Sequence, residues 1–221
     1  MLTGRLHILF PALLVLLITA SKGIAQTGDR PGKGLDVNPC PGGGGTAEID
    51  TITVPSLDRL ALMSDLIVTG NVVSAFPAIN IDAGHAELIE TDSLVSVTET
   101  LWGTLPSNGH TILLFQLGGK AGPCTTVVPD DPLIKPGEQY VLFLRLDKRK
   151  DIPNTSGAQR YSPVGVWSGK AKVASRKIQF PLRAHAALHQ YDNTDAAVFL
   201  QILKQRIAFL SAGKLMRIAP P

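Results

Sequence analysis

The stretch "SLVSVTETLWG", residues 93–103, alternates apolar and polar side chains. The apolar residues Val95, Val97 and Leu101 share one parity, and the hydroxyl residues between them take the other. Alternation of this kind is typical of an antiparallel strand with one buried face and one wet face. We therefore predict a strand here and look for its neighbours on both sides.

Three further stretches have strand character. They are "LIVTGNVVSAF" (66–76), "TILLFQL" (111–117) and "YVLFLRL" (140–146), and the last two are apolar enough to be central. Gly70 falls in the middle of the first, where a strand commonly bends or bulges. Pro136 and Gly137 precede the last and fit the middle positions of a type II turn.

The stretches "RYSPVGVWSG" (160–169) and "KAKVASRKIQF" (170–180) predict two or three more short strands, with a hairpin turn at residues 167–170. Five to seven closely spaced strands indicate a mainly β protein, either an antiparallel sandwich or a small barrel. Gly70 and Gly165, each inside a strand pattern, favour a strongly curved sheet.

Two helices flank these strands. Ser56 is the predicted N-cap of a short helix with Asp58 in its first turn. Near the C-terminus, Thr194 is the predicted N-cap and Gly213 the predicted C′ residue of an amphipathic helix. Its apolar residues recur at intervals of three and four: Val198, Phe199, Ile202, Leu203, Ile207 and Leu210.

The first 25 residues have the pattern of a secretory signal peptide. Arg5 precedes an apolar run, Ile8–Ala20, and Gly23 and Ala25 are small residues before a cleavage position. The run is shorter than the roughly 20 residues that span a bilayer, which argues against a retained anchor. We therefore expect a secreted or periplasmic protein with no membrane association after cleavage.

The composition predicts the remaining organisation. Residues 26–47 are rich in Gly, Pro and charged residues and predict a flexible arm. A β-barrel domain is expected over 48–182, a C-terminal helical segment over 183–213 and a tail over 214–221.

The mature chain is expected to be nearly neutral. The full chain has 21 Lys and Arg against 18 Asp and Glu, and the loss of Arg5 and Lys22 reduces the basic count to 19. A nearly neutral chain lacks the excess of basic residues that binding to nucleic acid requires. The basic cluster 148–150 is interpreted as a solvated loop tip.

Cys40 and Cys124 are the only cysteines. In an exported chain an even pair predicts one disulfide, and two free thiols or an intermolecular bridge are the alternatives.

The order of these stretches resembles a known family. A helix leading into "SDLIVTGNVVS", a strand ending "VTETLWG", then "TILLFQLGG", "PGEQYVLFL" and "WSGKAKV" are similar to secreted netrin-like proteins. These include the tissue inhibitors of metalloproteinases and many uncharacterised bacterial members. The resemblance covers residues 56–180 and implies an OB-like barrel.

The resemblance also implies a disulfide that ties the N-terminal segment to the barrel, here Cys40 to Cys124. The metalloproteinase inhibitors begin their mature chain with a cysteine that chelates the target's zinc. Here Cys40 lies inside the mature chain and a Cys-Pro pair replaces the family's Cys-x-Cys opening, which argues against that mechanism.

Motifs for chemistry are weak. "CPGGGG" (40–45) lacks the Lys and the preceding strand of a phosphate loop, and "GVWSG" (165–169) is one residue away from a nucleophile elbow. No catalytic or cofactor-binding residue is therefore predicted, and Ser168 is interpreted as a turn residue.

Five polar residues nevertheless stand out. His185, His189 and Asp192 have the spacing of one helical face, where zinc is an alternative to solvated polar positions. Glu99 interrupts an apolar parity, and an edge or a bulge that turns it outward is expected rather than a buried carboxylate. Asn154 begins a formal glycosylation sequon.

The function predicted from these observations is a secreted, non-enzymatic module that binds an extracellular protein or a glycan. An inhibitor of an extracellular protease that uses the N-terminal arm is the alternative. An enzyme of unrecognised type is the third hypothesis. No cofactor and no metal are predicted.

Overall fold

The structure is a computed structural model of the chain, and it describes residues 45–46, 52–80, 88–106, 109–149 and 157–213. All of these residues belong to one compact unit, Asn38–Pro221. The predicted signal peptide, most of the predicted arm and Asn154 lie outside the described residues.

The described chain consists mostly of β-strands, joined by short turns and accompanied by three helices. The strands are β1 Gly45–Thr46, β2 Leu66–Asn80, β3 Leu88–Trp102, β4 Thr111–Leu117, β5 Gly119–Ala121, β6 Cys124–Val127, β7 Gln139–Leu146, β8 Gln159–Pro163, β9 Lys170–Ala174 and β10 Lys177–Gln179. The helices are α1 Leu57–Leu62, α2 Ala186–His189 and α3 Ala196–Ala212.

Five of the strands close into a small barrel. β2 pairs with β3 and β7, β3 pairs with β4, β4 pairs in parallel with β8, and β8 pairs with β7 to complete the ring. The prediction of a mainly β chain with a small barrel is therefore confirmed. The expectation that the barrel is antiparallel is wrong for the β4–β8 pairing, which is parallel.

β9 and β10 extend the sheet beyond the closed barrel. β9 pairs with β7 at Gln139–Leu142, next to the part of β7 that pairs with β8. β10 forms a hairpin with β9 through Ser175 and Arg176, both with positive φ. A separate three-stranded sheet has the order β1, β6, β5, and its parallel β1–β6 pairing uses residues of the predicted arm, Gly45 and Thr46.

The apolar side chains form two layers. The barrel interior is filled by buried residues of all five barrel strands and of the loop before β7: Leu66, Val68, Val72, Val95, Val97, Ile112, Leu114, Ile134, Tyr140, Leu142, Leu144 and Tyr161. A second cluster lies outside the barrel, where Ile67, Val141 and Phe143 pack against α1 and α3. β7 therefore buries both of its faces, which explains its nearly continuous apolar run.

Both predicted flanking helices are present. The Ser56 hydroxyl accepts a hydrogen bond from the Arg59 amide at 3.1 Å, so the predicted cap of α1 is confirmed. α3 buries one side through Phe199, Leu203, Ile207 and Leu210. Val198, predicted on the same face, is half exposed.

The predicted ends of α3 are wrong. Asp195, not Thr194, is the N-cap, and its carboxylate accepts from the Ala197 amide at 3.0 Å. The Thr194 carbonyl instead accepts from the Ile178 amide at 2.9 Å, so pairing with β10 holds Thr194 outside the helix. Gly213 ends the helix with a φ of −73° and not in the left-handed conformation.

A β-bulge in β3 decides the direction of Glu99. Gly70 pairs with Val97 while Thr69 pairs with Glu99, so Thr98 is an extra residue in the ladder. The bulge turns Glu99 outward, where its Oε1 lies 2.6 Å from Lys204 Nζ of α3. The same shift places Leu101 against the outer cluster, so the prediction that Leu101 shares the face of Val95 is wrong.

The prediction of a hairpin turn around Ser168 is also wrong. Residues 164–169 form a turn, but β8 and β9, which it connects, both pair with β7 and not with each other. Gly165 lies inside this turn with a φ of 59° and not inside a strand. The fork-like arrangement arises because β7 is long enough to pair with both strands at successive positions.

Two further expectations concern the surroundings of this fold. No helix in the described ranges has the length and apolar character needed to cross a membrane. Cys124 is fully buried at the start of β6. Its predicted partner Cys40 lies outside the described residues, so the disulfide stays a prediction.

Candidate functional site: a cleft beside the barrel end

A cleft of about 470 Å³ lies between β9 and the loop that joins β6 to β7. Ile134 and Tyr140 belong both to its lining and to the barrel interior, so the cleft lies at one end of the barrel. Its opposite wall is formed by residues 180–182, 192 and 193. The volume is in the range of pockets that bind small molecules or side chains.

A buried ion pair lies at the floor of the cleft. The Lys170 side chain is 2% exposed, and its Nζ donates hydrogen bonds to Asp131 Oδ1 and, at 3.3 Å, to the Pro132 carbonyl. Gln116 supports the loop by donating to the Pro132 carbonyl at 3.3 Å and accepting from the Ile134 amide at 2.9 Å. The loop is thus held by side chains of the barrel interior.

Burial perturbs both groups of this pair. Removal from water lowers the pKa of Lys170 and raises the pKa of Asp131, and in each case the partner's charge opposes the shift only in part. A buried ion pair of this kind contributes little net stability, but the loss of one partner leaves an uncompensated charge.

A second ion pair lies beside the first. Lys172 Nζ donates to Glu138 Oε1 at 2.5 Å, and the Tyr140 hydroxyl donates to Glu138 Oε2 at 2.6 Å. Burial alone would raise the pKa of Glu138, but hydrogen bonds from Lys172, Tyr140 and the Lys135 amide hold it below its usual range. The Gly137 turn that positions Glu138 has a φ of 86° and a bond from the Glu138 amide to the Lys135 carbonyl, which confirms the predicted type II geometry.

The rim of the cleft is partly apolar. Leu182 is 86% exposed, the highest value among the large apolar residues described. Next to it, Arg183 Nε donates to Asp130 Oδ2 at 2.7 Å, and its guanidinium lies 5.5 Å from the centroid of the Trp167 ring. Trp167 is held by a tight turn in which its amide donates to the Gly165 carbonyl at 2.6 Å.

Of the residues His185, His189 and Asp192 singled out from the sequence, Asp192 lines the cleft and His189 contacts it. His189 Nδ1 lies 2.7 Å from Asp192 Oδ2, and Asp192 Oδ1 accepts from the Phe180 amide at 2.8 Å. His185 caps α2 instead, since its Nδ1 accepts from the Ala187 amide at 3.2 Å. Within the described residues, no group of three His, Cys, Asp or Glu is arranged to hold a metal ion.

The charges around the cleft are balanced among themselves. Each basic side chain has a carboxylate partner in direct contact, namely Lys170 with Asp131, Lys172 with Glu138, Arg183 with Asp130 and His189 with Asp192. A ligand in this cleft would therefore contact local dipoles and apolar surface. It would not be attracted by an excess of positive or of negative charge.

A different polar cluster lies on the outside of the barrel. Arg160 is almost buried and contacts Glu90, Asp92 and Asp147, and Arg149 contacts Glu90 and Asp147. Both guanidinium groups lie over the Phe115 ring, at 4.2 and 4.5 Å from its centroid. We interpret this network as a clamp at the β4–β8 seam because its members come from β3, β4, β8 and the end of β7.

Arg149 is exposed, in agreement with the interpretation of residues 148–150 as a solvated loop tip, but it also belongs to this network. This side chain is bonded to Asp147 and Glu90 and stacked on Phe115. Lys148 is exposed as expected, and Lys150 lies outside the described residues.

Sequence reasoning did not identify the residues of the cleft floor. Lys170 and Lys172 share one parity of a short strand, and nothing in the sequence shows which of its faces is covered. Asp131 belongs to a Pro- and Asp-rich loop, a composition that ordinarily indicates a solvated turn.

Comparisons with known proteins leave the chain without an assigned family. No protein-family model matches it, and no curated protein matches it. The resemblance to netrin-like proteins stays a prediction.

Proposed function

We propose that this protein is a non-enzymatic binding module whose cleft receives an uncharged segment of an extracellular protein partner. The observation that carries the proposal is the combination of a cleft of about 470 Å³ with ion pairs that are all internally satisfied. A few fixed polar groups in a mostly formed cleft orient a ligand.

The barrel supports a binding function. Its strands follow each other around the ring in the order β2, β3, β4, β8, β7, with β4 and β8 parallel, which is compatible with the expected OB-like type. Barrels of this type use their outer face and loops to bind partners. In this chain the Arg149–Phe115–Arg160 cluster covers part of the outer face, so the cleft is the better candidate.

The surface of the cleft favours a peptide over a glycan. Its aromatic side chains, Tyr140 and Phe180, are 7% and 5% exposed and offer little ring surface for stacking. The accessible apolar groups are aliphatic, namely Leu182, Pro132 and in part Pro181, and the exposed amides of Gln179 and Asn193 supply hydrogen-bond donors and acceptors. An aliphatic side chain and backbone amides of a peptide would complement these groups.

The proposal is tested by selecting peptides from a random display library on the purified chain. We expect enrichment of peptides with aliphatic residues and little net charge. Leu182→Asp should weaken the affinity of a selected peptide at least about tenfold, or about 1.4 kcal/mol, because it places a carboxylate at an apolar contact. Val198→Asp is the matched control, since Val198 is half exposed on α3 and does not line the cleft.

Several results would contradict the proposal. Equal affinities for Leu182→Asp and the wild type would exclude the cleft as the binding site. Binding on a glycan array without any selected peptide would replace the peptide by a glycan. Turnover of peptides or esters by the purified wild-type chain would favour the enzyme hypothesis.

The alternative of a protease inhibitor stays a prediction. Residues 26–39, through which the arm would act, lie outside the described residues. Deletion of these residues should abolish inhibition of a sensitive extracellular protease if the arm reaches its active site.

A further inference from the structure

His189 contacts the cleft wall through Asp192. Its Nδ1 contacts Asp192 Oδ2 at 2.7 Å and its Nε2 lies 3.1 Å from the Ala184 carbonyl oxygen. The other oxygen of Asp192 accepts from the Phe180 amide at 2.8 Å. Phe180 and Asp192 both line the cleft, so this chain of hydrogen bonds runs through the wall itself.

The two partners of the imidazole have one property in common, which is that both are oxygen acceptors. A carboxylate and a carbonyl oxygen cannot donate, so each ring nitrogen must carry a proton to make its bond. A neutral imidazole carries one N–H, and only the imidazolium carries two. The geometry around His189 is therefore complete only when the ring is protonated.

We propose that His189 and Asp192 form a protonation-dependent latch, which holds the cleft wall in its binding shape when His189 is charged and loosens it when His189 is neutral. This inference concerns the regulation of the proposed binding site and rests on the proposed function for that part only. The state of the wall can be measured without any ligand.

The effect of pH has a definite sign. The hydrogen bond and the charge of Asp192 raise the pKa of His189 above its usual range. A group with a raised folded pKa contributes stability that is fully present below its unfolded pKa, about 6.5 for histidine, and that is lost as the pH rises through the folded value. The latch is thus closed at low pH and opens as the pH rises through the raised pKa of His189.

The neighbouring titratable groups are bonded elsewhere. Arg183 of the wall pairs with Asp130 of the β6–β7 loop, and on β9 Lys172 pairs with Glu138 and Lys170 with Asp131. His185 caps α2, Asp195 caps α3, and Lys177 on β10 is exposed. Asp192 is therefore the charged group whose contact sets the protonation of His189.

One end of the wall is also attached to α3 and to β10. Tyr191, next to Asp192, packs edge-on against Phe199 of α3 with ring centroids 5.5 Å apart. The Asn193 amide donates to the Ile178 carbonyl at 2.8 Å. These contacts hold the end of the wall when the latch opens, so we expect a local change at residues 180–189 and not global unfolding.

The experiment measures the hydrogen-exchange protection factor of the Phe180 amide by NMR in the full chain. Between about pH 5.5 and about pH 8.5, the protection factor should fall about fivefold to tenfold, the effect expected for one weakened hydrogen bond of about 1 kcal/mol. His189→Gln should show low protection at every pH. Asp192→Asn should move the transition to lower pH, because the charge that favours the imidazolium is gone.

His110→Gln is the matched control. His110 is exposed at the end before β4, and its replacement should leave the profile of Phe180 unchanged. A protection factor that does not vary with pH in the wild type would overturn the latch, as would an unaltered pH dependence in His189→Gln.

The affinity of a selected peptide provides the second readout. It should decrease over the same pH interval in the wild type and be constant in His189→Gln. If the protection of the Phe180 amide depends on pH but the affinity for the peptide does not, the proposal that pH regulates the cleft is wrong and the proposed function stands. If no peptide binds at any pH, the proposed function fails while the amide measurement still decides the latch.

Discussion

At the scale of single residues, Lys170 connects the barrel interior to the cleft. Its strand neighbour Leu142 points into the barrel core, and its ammonium group meets the Asp131 carboxylate of the loop before β7. Both groups are almost inaccessible to water. The pair therefore fixes the position of the loop relative to β9, and the cleft between them has a defined shape.

Replacement of Lys170 should be strongly destabilising. Lys170→Met leaves the Asp131 carboxylate buried and unpaired, and we expect a loss of about 3–5 kcal/mol in the free energy of unfolding near neutral pH. The loss should shrink as the pH falls, because protonation removes the charge from a carboxyl group whose pKa burial has raised. Denaturant titrations at several pH values give both numbers.

The matched control for this prediction is the double variant Lys170→Met/Asp131→Asn. It removes both charges and should recover much of the lost stability. A single variant as stable as the wild type would show that the pair does not constrain the loop.

At the scale of elements, β2 and β3 show how far the sequence pattern predicts a strand. The alternation predicted both strands, and Gly70 indicated a bulge at the position where the register shifts. The parity of the residues beyond the bulge was not predictable, because one extra residue reverses the faces of everything that follows it. Leu101 and Glu99 are the residues affected.

Gly70 should not tolerate a side chain. A Cβ at this position would lie 2.7 Å from Val95 Cγ1 and 2.8 Å from the Ser96 carbonyl oxygen. Because the second contact is with backbone, β3 must shift, and we expect Gly70→Ala to reduce the free energy of unfolding by about 1–3 kcal/mol. Thermal denaturation measures the change, and unchanged stability would mean that the two strands are less closely apposed than described.

At the scale of the whole molecule, the parallel β1–β6 pairing brings the N-terminal segment to the barrel. Gly45 pairs with Thr126 and Thr46 with Val127. Cys40 lies outside the described residues, so the Cys40–Cys124 disulfide, which would anchor the arm beside β6, stays a prediction.

The disulfide prediction is tested by mass and by stability. The oxidised chain should be two hydrogens lighter than the reduced chain, and digestion should release the Cys40 and Cys124 peptides as one linked species. The bond closes a loop of about 84 residues, for which chain entropy gives an upper value of about 4–5 kcal/mol. Two free thiols, or no change in melting temperature on reduction, would contradict it.

The sequence by itself determined the long strands and the two flanking helices of this protein. Local steric and hydrogen-bonding preferences are sufficient to specify the alternation along 93–103, the apolar runs at 111–117 and 140–146, the Pro136–Gly137 turn and the capping serine at residue 56. The short elements β1, β5, β6 and α2 were not predicted. The number and spacing of the strands left a sandwich and a small barrel as alternatives, and the closure of β8 onto β7 decides for the barrel.

Only the tertiary structure decided the site and several of the boundaries. β8 and β9 pair with successive parts of β7, and the ion pairs of Lys170 and Lys172 join residues that are distant in sequence. Asp195 is the cap of α3 because β10 pairs with the backbone of Thr194. An alternating pattern shows that a strand has two different faces. It does not show which face is covered, or which charged side chain of another element lies against it. The cleft depends on both, and both are decided only when the strands assemble.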